Sequence, residues 1–334
     1  MNSIDTDEYS TRLREKAIDV ATNRILISRI GDSAQEDDLT EPSNCGGLGR
    51  IRHFVRSTVD GWPDNPLPID PALQRLGLPG QDSIEAQVFQ NAACNWRCWY
   101  CFVPFSLLSA NESRSQWVSS DELVDMYASL PNRPRMIDCS GGQPDLVPEW
   151  VPWMMQSLIN AGLADSTYLW SDDNLSNDYF WRYLDDSQLD LIRQYRSYGR
   201  VCCFKGYDET SFAFNTKADP SLFQRQFELF GRLLSLGIDL YAYVTFTTPT
   251  LVDIEGRMER FLDRLMSLHP NLPLRTVPLR IENYGVVSSR VGLVEQRALI
   301  DQDAAIVEWN RIVHERFSEK QRSLPVTEIN LHAE

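Results

Sequence analysis

The sequence has 334 residues, of which 47 are acidic and 32 are basic, so the formal net charge is −15. With 43% hydrophobic and 24% charged residues, the composition is that of a globular chain and excludes the disordered and collagen-like classes. The acidity argues against nonspecific binding to nucleic acid, which needs clustered Lys and Arg. Because we find neither an apolar signal core nor a run of about 18 apolar residues, we expect a cytoplasmic protein without a membrane partner.

The first 80 residues give mixed structural signals. The spacing of apolar residues predicts a helix within 10–30, and an acidic loop follows it. Residues 61–80 contain five prolines, which interrupt regular structure. We therefore interpret residues 1–80 as an N-terminal extension that packs on the main domain.

From about residue 84 the sequence alternates between short strand-like runs and helical patterns. Ser119 and Glu122 have the spacing of a capping box, which predicts that a helix begins there. Strands that alternate with helices are typical of βαβ units and a parallel sheet. The predicted fold class is α/β, a partial parallel (β/α)6 TIM-like barrel with N- and C-terminal extensions. The six predicted strands are 85–90, 135–139, 166–170, 200–204, 239–246 and 275–281.

The pattern changes after residue 285. Residues 296–317 have the spacing of an amphipathic helix, and the tail at 324–331 is compatible with a strand. The predicted domains are therefore the extension 1–80, the barrel 81–284 and a C-terminal helical extension 285–334.

Three of the seven cysteines, Cys94, Cys98 and Cys101, lie within eight positions. In a reducing compartment such crowding indicates a metal or catalysis rather than disulfides. Thiolates suit zinc or an iron–sulfur cluster, but a structural zinc ion needs four ligands and no fourth Cys or His is nearby. On a cubane [4Fe–4S] cluster, three thiolates leave one iron open to a small molecule. Buried core cysteines that are close by coincidence are the alternative.

The segment 94–101 reads Cys-Asn-Trp-Arg-Cys-Trp-Tyr-Cys, with the aromatic Tyr100 before the third cysteine. It resembles the cluster motif of the radical S-adenosylmethionine (radical SAM) superfamily. The resemblance implies a [4Fe–4S] cluster on Cys94, Cys98 and Cys101, with S-adenosylmethionine on the open iron and Tyr100 near its adenine. It also implies reductive cleavage to a 5′-deoxyadenosyl radical, which abstracts hydrogen from a substrate. The electron donor would be a protein such as flavodoxin or ferredoxin.

A second motif, Cys-Ser-Gly-Gly-Gln-Pro, closes the second predicted strand. It resembles the Gly-Gly-Glu-Pro-type motif of the same superfamily, which implies that Gly141, Gly142, Gln143 and Pro144 hold the amino group of the methionine moiety. Adjacent glycines let a backbone approach a ligand closely. Gln143 replaces the usual Glu, which removes one charge and leaves the backbone carbonyls. Alone, the motif is explained better by a plain strand-to-helix turn, but its position one strand after the three cysteines favours the cofactor role.

Two further strand ends carry candidate cofactor residues. Ser171 and Asp172 follow the third strand, where family members often carry a hydroxyl residue with Asn or Asp. Lys205 opens a Lys-Gly-Tyr-Asp stretch that resembles the glycyl-radical-enzyme-activase-like branch, which implies that Lys205 pairs with the carboxylate of S-adenosylmethionine. On the residues alone, solvated loops explain both sites as well.

The fifth strand and the remaining cysteines have simpler interpretations. Because side chains alternate along a strand, Tyr241, Tyr243 and Thr245 share one face, which we expect to line the barrel interior. Consecutive Cys202 and Cys203 point to opposite faces, so we interpret them as structural, together with Cys45 and Cys139. No cysteine follows position 203, so we expect one cluster only.

Three functions remain in competition. The resemblance favours a radical SAM enzyme that acts on a small-molecule or peptide substrate. The first alternative is an activase that generates a glycyl radical on a partner protein. The second is a non-catalytic iron–sulfur protein used for electron transfer or interaction. Fold and cofactor do not identify the substrate.

Overall fold

The computed structural model describes residues 4–331, which form ten strands and twelve α-helices. The strands are β1 (Ile18–Asp19), β2 (Arg24–Ser28), β3 (Gly49–Val55), β4 (Ser83–Gln90), β5 (Ser115–Ser119), β6 (Met136–Ser140), β7 (Tyr168–Asp173), β8 (Tyr198–Phe204), β9 (Leu240–Thr245) and β10 (Thr276–Leu279). The helices are α1 (Thr6–Ala17), α2 (Ile69–Leu76), α3 (Ser120–Ala128), α4 (Trp150–Asn160), α5 (Tyr179–Tyr183), α6 (Asp186–Gln194), α7 (Glu209–Thr216), α8 (Leu222–Leu234), α9 (Ile254–Leu268), α10 (Gly285–Ser288), α11 (Leu293–Arg316) and α12 (Glu319–Arg322). Within this described part, no helix is both long and apolar enough to cross a membrane.

The main sheet has seven strands in the order β10-β9-β8-β7-β6-β4-β3. All neighbours are parallel except β3, which runs antiparallel to β4. The sheet is curled into a half-barrel, so the predicted α/β class and partial TIM-like barrel are confirmed. All six predicted strands are present, as β4 and β6 to β10.

The two faces of the curled sheet carry separate apolar clusters because side chains alternate along each strand. The outer face packs against the helices and includes Phe89, Ile137, Leu169, Cys202, Ala242 and Val244. The inner face encloses the interior of the half-barrel and includes Phe54, Ala86, Met136, Trp170, Val201, Cys203, Tyr241, Tyr243 and Val277. The predicted division of the fifth strand, with its tyrosines inward, is confirmed, and so is the opposite orientation of Cys202 and Cys203.

Strand β3 is the seventh strand of the main sheet, and the sequence did not predict it. It lies within the segment that we interpreted as the extension 1–80, and it pairs with β4 from Gly49↔Phe89 to Val55↔Ser83. Its inward positions are Arg50, Arg52 and Phe54, so two of three carry charge and the usual apolar face is missing. The domain boundaries at 80 and 284 stay predictions.

Two local predictions are wrong. The helix expected within 10–30 ends at Ala17, and the run Arg24–Ser28 forms strand β2 after a turn at Asn23, whose φ is 52°. That run is rich in Ile, which favours strands, and it pairs with β5 in a small antiparallel sheet. The tail 324–331 contains a 3-10 turn at Val326–Glu328 in place of a strand, and the side chain of Val326 packs into the inner cluster.

Candidate functional site

The three clustered cysteines lie on the loop after β4, which we call the cysteine loop (residues 91–101). Cys94, Cys98 and Cys101 are half-buried free thiols. Burial raises the pKa of Cys98 to about 12; Lys205 opposes this shift, while Cys94 and Cys101 add to it. Burial likewise raises the pKa of Cys101, again with Cys94 contributing. The thiols are thus close enough to influence one another's ionisation, and deprotonating all three needs compensating positive charge.

No group of three or more Cys, His, Asp or Glu side chains within residues 4–331 is arranged to hold a metal ion. The ligand role of the three cysteines therefore stays a prediction.

The start of the cysteine loop is fixed by backbone hydrogen bonds from two sides. The amide of Ala92 donates to the carbonyl of Leu26 in β2 at 2.9 Å, and the amide of Gln143 donates to the carbonyl of Ala93 at 2.7 Å. The amide of Cys94 donates to the carbonyl of Leu108 at 3.0 Å. Paired backbone groups of this kind hold an irregular segment in one conformation.

Buried amides, which the sequence did not single out, tie the loop to the rest of the chain. Asn95 donates to Ser10 and Ser176 at 2.8 and 2.7 Å. The side chain of Asn215 accepts from the indole of Trp99 at 3.1 Å and donates to the carbonyl of Lys205 at 2.9 Å. The partners Ser10, Ser176 and Trp99 are distant in sequence, so no local signal marks these contacts.

The double glycine of the second motif packs directly on the cysteine loop. Gly141 and Gly142 have φ of 65° and 77°, a region that favours glycine. A Cβ on Gly142 would lie 2.5 Å from the carbonyl oxygens of Asn91 and Ala93. The glycines therefore permit a close approach between two strand-end loops. From the sequence, we expected these glycines to allow a close approach to a ligand. In the structure, the close packing of the chain itself already requires glycine at these positions.

Gln143 links the ends of β6 and β7. Its Nε2 donates to Oδ1 of Asp173 at 2.7 Å, and its Oε1 accepts from the amide of Asn174 at 2.9 Å. The side chain is 1% exposed. Both polar ends are used internally, and the donor faces a carboxylate, so an amide fits here where a second carboxylate would repel Asp173. Pro144 is buried at the start of the following 3-10 turn.

Tyr100 and Lys205 lie beside the thiols. Tyr100 is buried, with its hydroxyl 3.4 Å from that of Thr245 on the inner face. The half-buried ammonium of Lys205 has no hydrogen-bond or ion-pair partner within residues 4–331. Burial opposes its charge, but Cys203, Tyr100, Cys98 and Cys94 together hold the pKa of Lys205 above its usual range. This cation can compensate thiolates or pair with an incoming anion.

The two predicted residues after the third strand point to opposite sides of the sheet. Ser171 is fully buried on the outer side and bonds to the hydroxyl of Tyr198 at 2.7 Å, so it is not brought to the site. Asp172 points inward, where its carboxylate accepts from Ser140 at 2.5 Å. It neighbours Asp138, whose pKa is raised to about 7 by burial and by the charge of Asp172.

The remainder of the Lys-Gly-Tyr-Asp stretch has local structural roles. Asp208 caps α7 and accepts from the amide of Ser211 at 2.7 Å. A Cβ on Gly206 would lie 2.5 Å from the amide nitrogen of Phe212. Tyr207 is buried. Asp208 and Gly206 are therefore explained by the turn and Tyr207 by its burial, and the activase-like resemblance is not confirmed.

No family model and no curated protein matches the chain. Solved structures of SuiB from Streptococcus suis are similar to it. SuiB bound to S-adenosylmethionine has a TM-score of 0.46 and 9% identity, over 68% of this chain and 47% of SuiB. SuiB bound to the precursor peptide SuiA has a TM-score of 0.39 and 11% identity, over 64% and 45%. A further SuiB structure has a TM-score of 0.38 and 12% identity, over 54% and 36%.

This chain therefore spans less than half the length of each SuiB structure. At these TM-scores and identities, the likeness assigns neither an activity nor a substrate to this chain.

Proposed function

We propose that this protein is a radical SAM enzyme that binds a [4Fe–4S] cluster through Cys94, Cys98 and Cys101. The observation that carries the proposal is the contact between the two motifs. The double-glycine turn packs on the start of the cysteine loop, through the 2.7 Å bond from the amide of Gln143 to the carbonyl of Ala93. β4 and β6 are neighbouring parallel strands, so the loops that follow them lie side by side, as a cofactor site shared by the two motifs requires.

The chemistry of the surrounding residues fits such a cofactor. Three thiols on one loop match the soft ligands of an iron–sulfur cluster. The unpartnered ammonium of Lys205 supplies positive charge next to these thiols, and it is available for the carboxylate of S-adenosylmethionine. Asp172 points into the half-barrel and can accept from a polar end of the cofactor, and Tyr100 offers a buried ring. Ser171 is not part of the proposed site.

When bound, the cluster and S-adenosylmethionine would supply a 5′-deoxyadenosyl radical that abstracts hydrogen from the substrate. The chain's own contribution is to bind both groups, exclude water and orient the substrate in the interior. The proposed electron donor is a small redox protein such as flavodoxin or ferredoxin.

The flanking segments support a small-molecule substrate rather than a partner protein. Asp38 of the N-terminal segment accepts from the amides of Gly285 and Val286 at 3.0 and 3.3 Å. Tyr284 packs on Phe102 of the loop after Cys101, with ring centroids 6.2 Å apart. We propose that the segment around Asp38 and the segment 284–286 cover the interior of the half-barrel from the β3 side. Such a cover restricts access for a protein loop and therefore disfavours the activase alternative.

The test is formation of 5′-deoxyadenosine. The anaerobically reconstituted protein is mixed with dithionite and S-adenosylmethionine, and the nucleoside is measured by mass spectrometry. We expect product from the wild type and from Cys139→Ser, because Cys139 lies on the outer face. Cys98→Ser should lose both iron and product.

An intact cluster without nucleoside would contradict the proposal and favour the non-catalytic iron–sulfur alternative. Equal loss of product in Cys98→Ser and Cys139→Ser would contradict a specific role of the cysteine loop.

A further inference from the structure

Arg50 carries a buried charge without a partner. It lies on the inner face of β3 and is 6% exposed. Within residues 4–331 its guanidinium makes no hydrogen bond or ion pair, and its Nε is fully buried without an acceptor. The guanidinium stacks over the ring of Phe102 at 5.1 Å. Burial lowers the pKa of Arg50 to about 10, and the nearby charge of Arg52 adds to this effect.

A buried guanidinium without an acceptor is unfavourable, because it loses hydrogen bonds to water that stacking on an aromatic ring does not replace. Buried polar groups in native proteins are almost always paired. The planar fork of an arginine matches a carboxylate, to which it can donate two parallel hydrogen bonds. An unpaired Arg50 therefore indicates that an anionic group belongs beside it.

The inner face offers a second set of unused polar atoms near Arg50. Arg52 is engaged by Asp138, with 3.4 Å between its Nη1 and Oδ2 of the carboxylate. The other oxygen of Asp138, Oδ1, is buried without a partner, and so is Nε2 of Gln90. Val88, the β-sheet partner of Arg50, pairs with Asp138 on its other side, so Arg50 and Asp138 lie in one row across the sheet with Val88 between them. A ligand that has a carboxylate and a separate hydroxyl or amino group would satisfy both sets.

Arg50 and the cation beside the thiols are carried by different parts of the sheet. Arg50 lies on β3, whereas Lys205 follows β8, and β7, β6 and β4 lie between these two strands. The carboxylate of S-adenosylmethionine already has a candidate partner in Lys205, which leaves Arg50 for another molecule.

We propose that Arg50 binds the carboxylate of a small-molecule substrate inside the half-barrel. Asp138 and Gln90 would hold the second polar group of that molecule. This inference rests on the proposed function, because it takes the interior next to the cysteine loop as the substrate chamber. It narrows the substrate to a carboxylic acid small enough to lie under the cover formed by Asp38 and Gly285.

Acetate is a suitable probe because it presents only the carboxylate. The melting temperature of the full, reconstituted protein is measured against sodium acetate, with sodium chloride of equal ionic strength as the reference. A ligand that binds only the folded state raises the melting temperature in a saturable way. We compare the wild type with Arg50→Met and with Arg56→Met. Arg56 is a matched control, because its guanidinium already pairs with Asp70 and Asp82.

We expect saturable stabilisation of the wild type and of Arg56→Met, and at least about tenfold weaker acetate binding in Arg50→Met. Without acetate, Arg50→Met should melt at a higher temperature than the wild type, since Met removes an unpaired buried charge. A lower melting temperature, or acetate binding equal to that of the wild type, would overturn the proposal.

A separate arm measures S-adenosylmethionine binding. Unchanged affinity in Arg50→Met is expected. A loss of about tenfold would assign Arg50 to the cofactor's carboxylate and overturn the substrate role. If S-adenosylmethionine binds neither protein, the proposed function fails, and the acetate result still decides whether Arg50 is an anion site.

Discussion

Replacing Gln143 with Glu tests why this chain carries an amide in its second motif. In the native chain the amide donates to Oδ1 of Asp173 at 2.7 Å, and the same oxygen accepts from the amide of Leu175 at 2.8 Å. The other carboxylate oxygen of Asp173 accepts from Arg200 at 2.9 Å. Gln143→Glu would place an ionised oxygen against Asp173, in a region where both residues are at most 3% exposed.

The loss of folding stability in Gln143→Glu depends on whether the introduced carboxyl is ionised or protonated. If the introduced carboxyl were ionised, the chain would lose a buried hydrogen bond to a charged group, about 2–3 kcal/mol, and would add repulsion between carboxylates. If the introduced carboxyl kept a proton, it could still donate to Asp173. Holding that proton at about pH 8 costs at most about 5 kcal/mol, since the unfolded pKa is about 4.3 and each pKa unit is worth about 1.4 kcal/mol. We expect a loss of about 3–5 kcal/mol near pH 8.

The expected loss depends on pH with a defined sign. The pKa of the introduced carboxyl is raised in the folded state, so its contribution is least unfavourable near the unfolded pKa and worsens as the pH rises. At about pH 5.5 the same argument limits the cost of the proton to about 2 kcal/mol. Denaturant unfolding of wild type and Gln143→Glu at both pH values measures the difference.

Gln143→Met is the control, because it loses both hydrogen bonds without introducing a charge. Its destabilisation relative to wild type should be the same at both pH values. If Gln143→Glu is as stable as wild type near pH 8, or if its loss does not change with pH, the role assigned to the Gln143–Asp173 contact is wrong.

Further predictions concern the packing, charge and pH response of the site. Gly142→Ala should destabilise the folded protein by about 3 kcal/mol and weaken iron retention, because the added Cβ would meet the cysteine loop. Gly162 has a similar φ of 68° but open space around it, so Gly162→Ala should destabilise by only about 1 kcal/mol. Equal losses in unfolding experiments would refute this packing argument. Lys205→Met should retain iron but bind S-adenosylmethionine about tenfold more weakly by calorimetry, and unchanged affinity would exclude the ion pair. Burial raises the pKa of Asp138 to about 7, so its stabilising contribution is present below about pH 4 and is lost as the pH rises through 7. Asp138→Asn should therefore flatten the fall in stability over this range, and an unchanged slope would contradict the raised pKa.

The parallel part of the sheet was predictable because its strands are buried on both faces and read as short apolar runs between helical patterns. Strand β3 was not, because Arg50 and Arg52 occupy the inner face where apolar residues are expected. Hydrophobic alternation cannot identify a strand that carries charged side chains on its inner face. One of these residues, Arg50, led to the inference of an anion site.

The cysteine loop and the double glycine were found from sequence because their signals are local spacings. Burial on both faces, however, conceals which side chains of a parallel strand point inward. For this reason Ser171 and Asp172 were grouped, although they lie on opposite sides of β7. Asn95 and Asn215 were missed because their role depends on partners 85 and 116 residues away.

The central claim is that the cysteine loop holds a cluster with one iron open to S-adenosylmethionine. Electron paramagnetic resonance of the reduced, reconstituted protein tests it directly, with and without that cofactor. We predict a [4Fe–4S] signal that shifts on addition of S-adenosylmethionine and is absent in Cys98→Ser. A signal from an intact cluster that does not change when the cofactor is added would contradict the account.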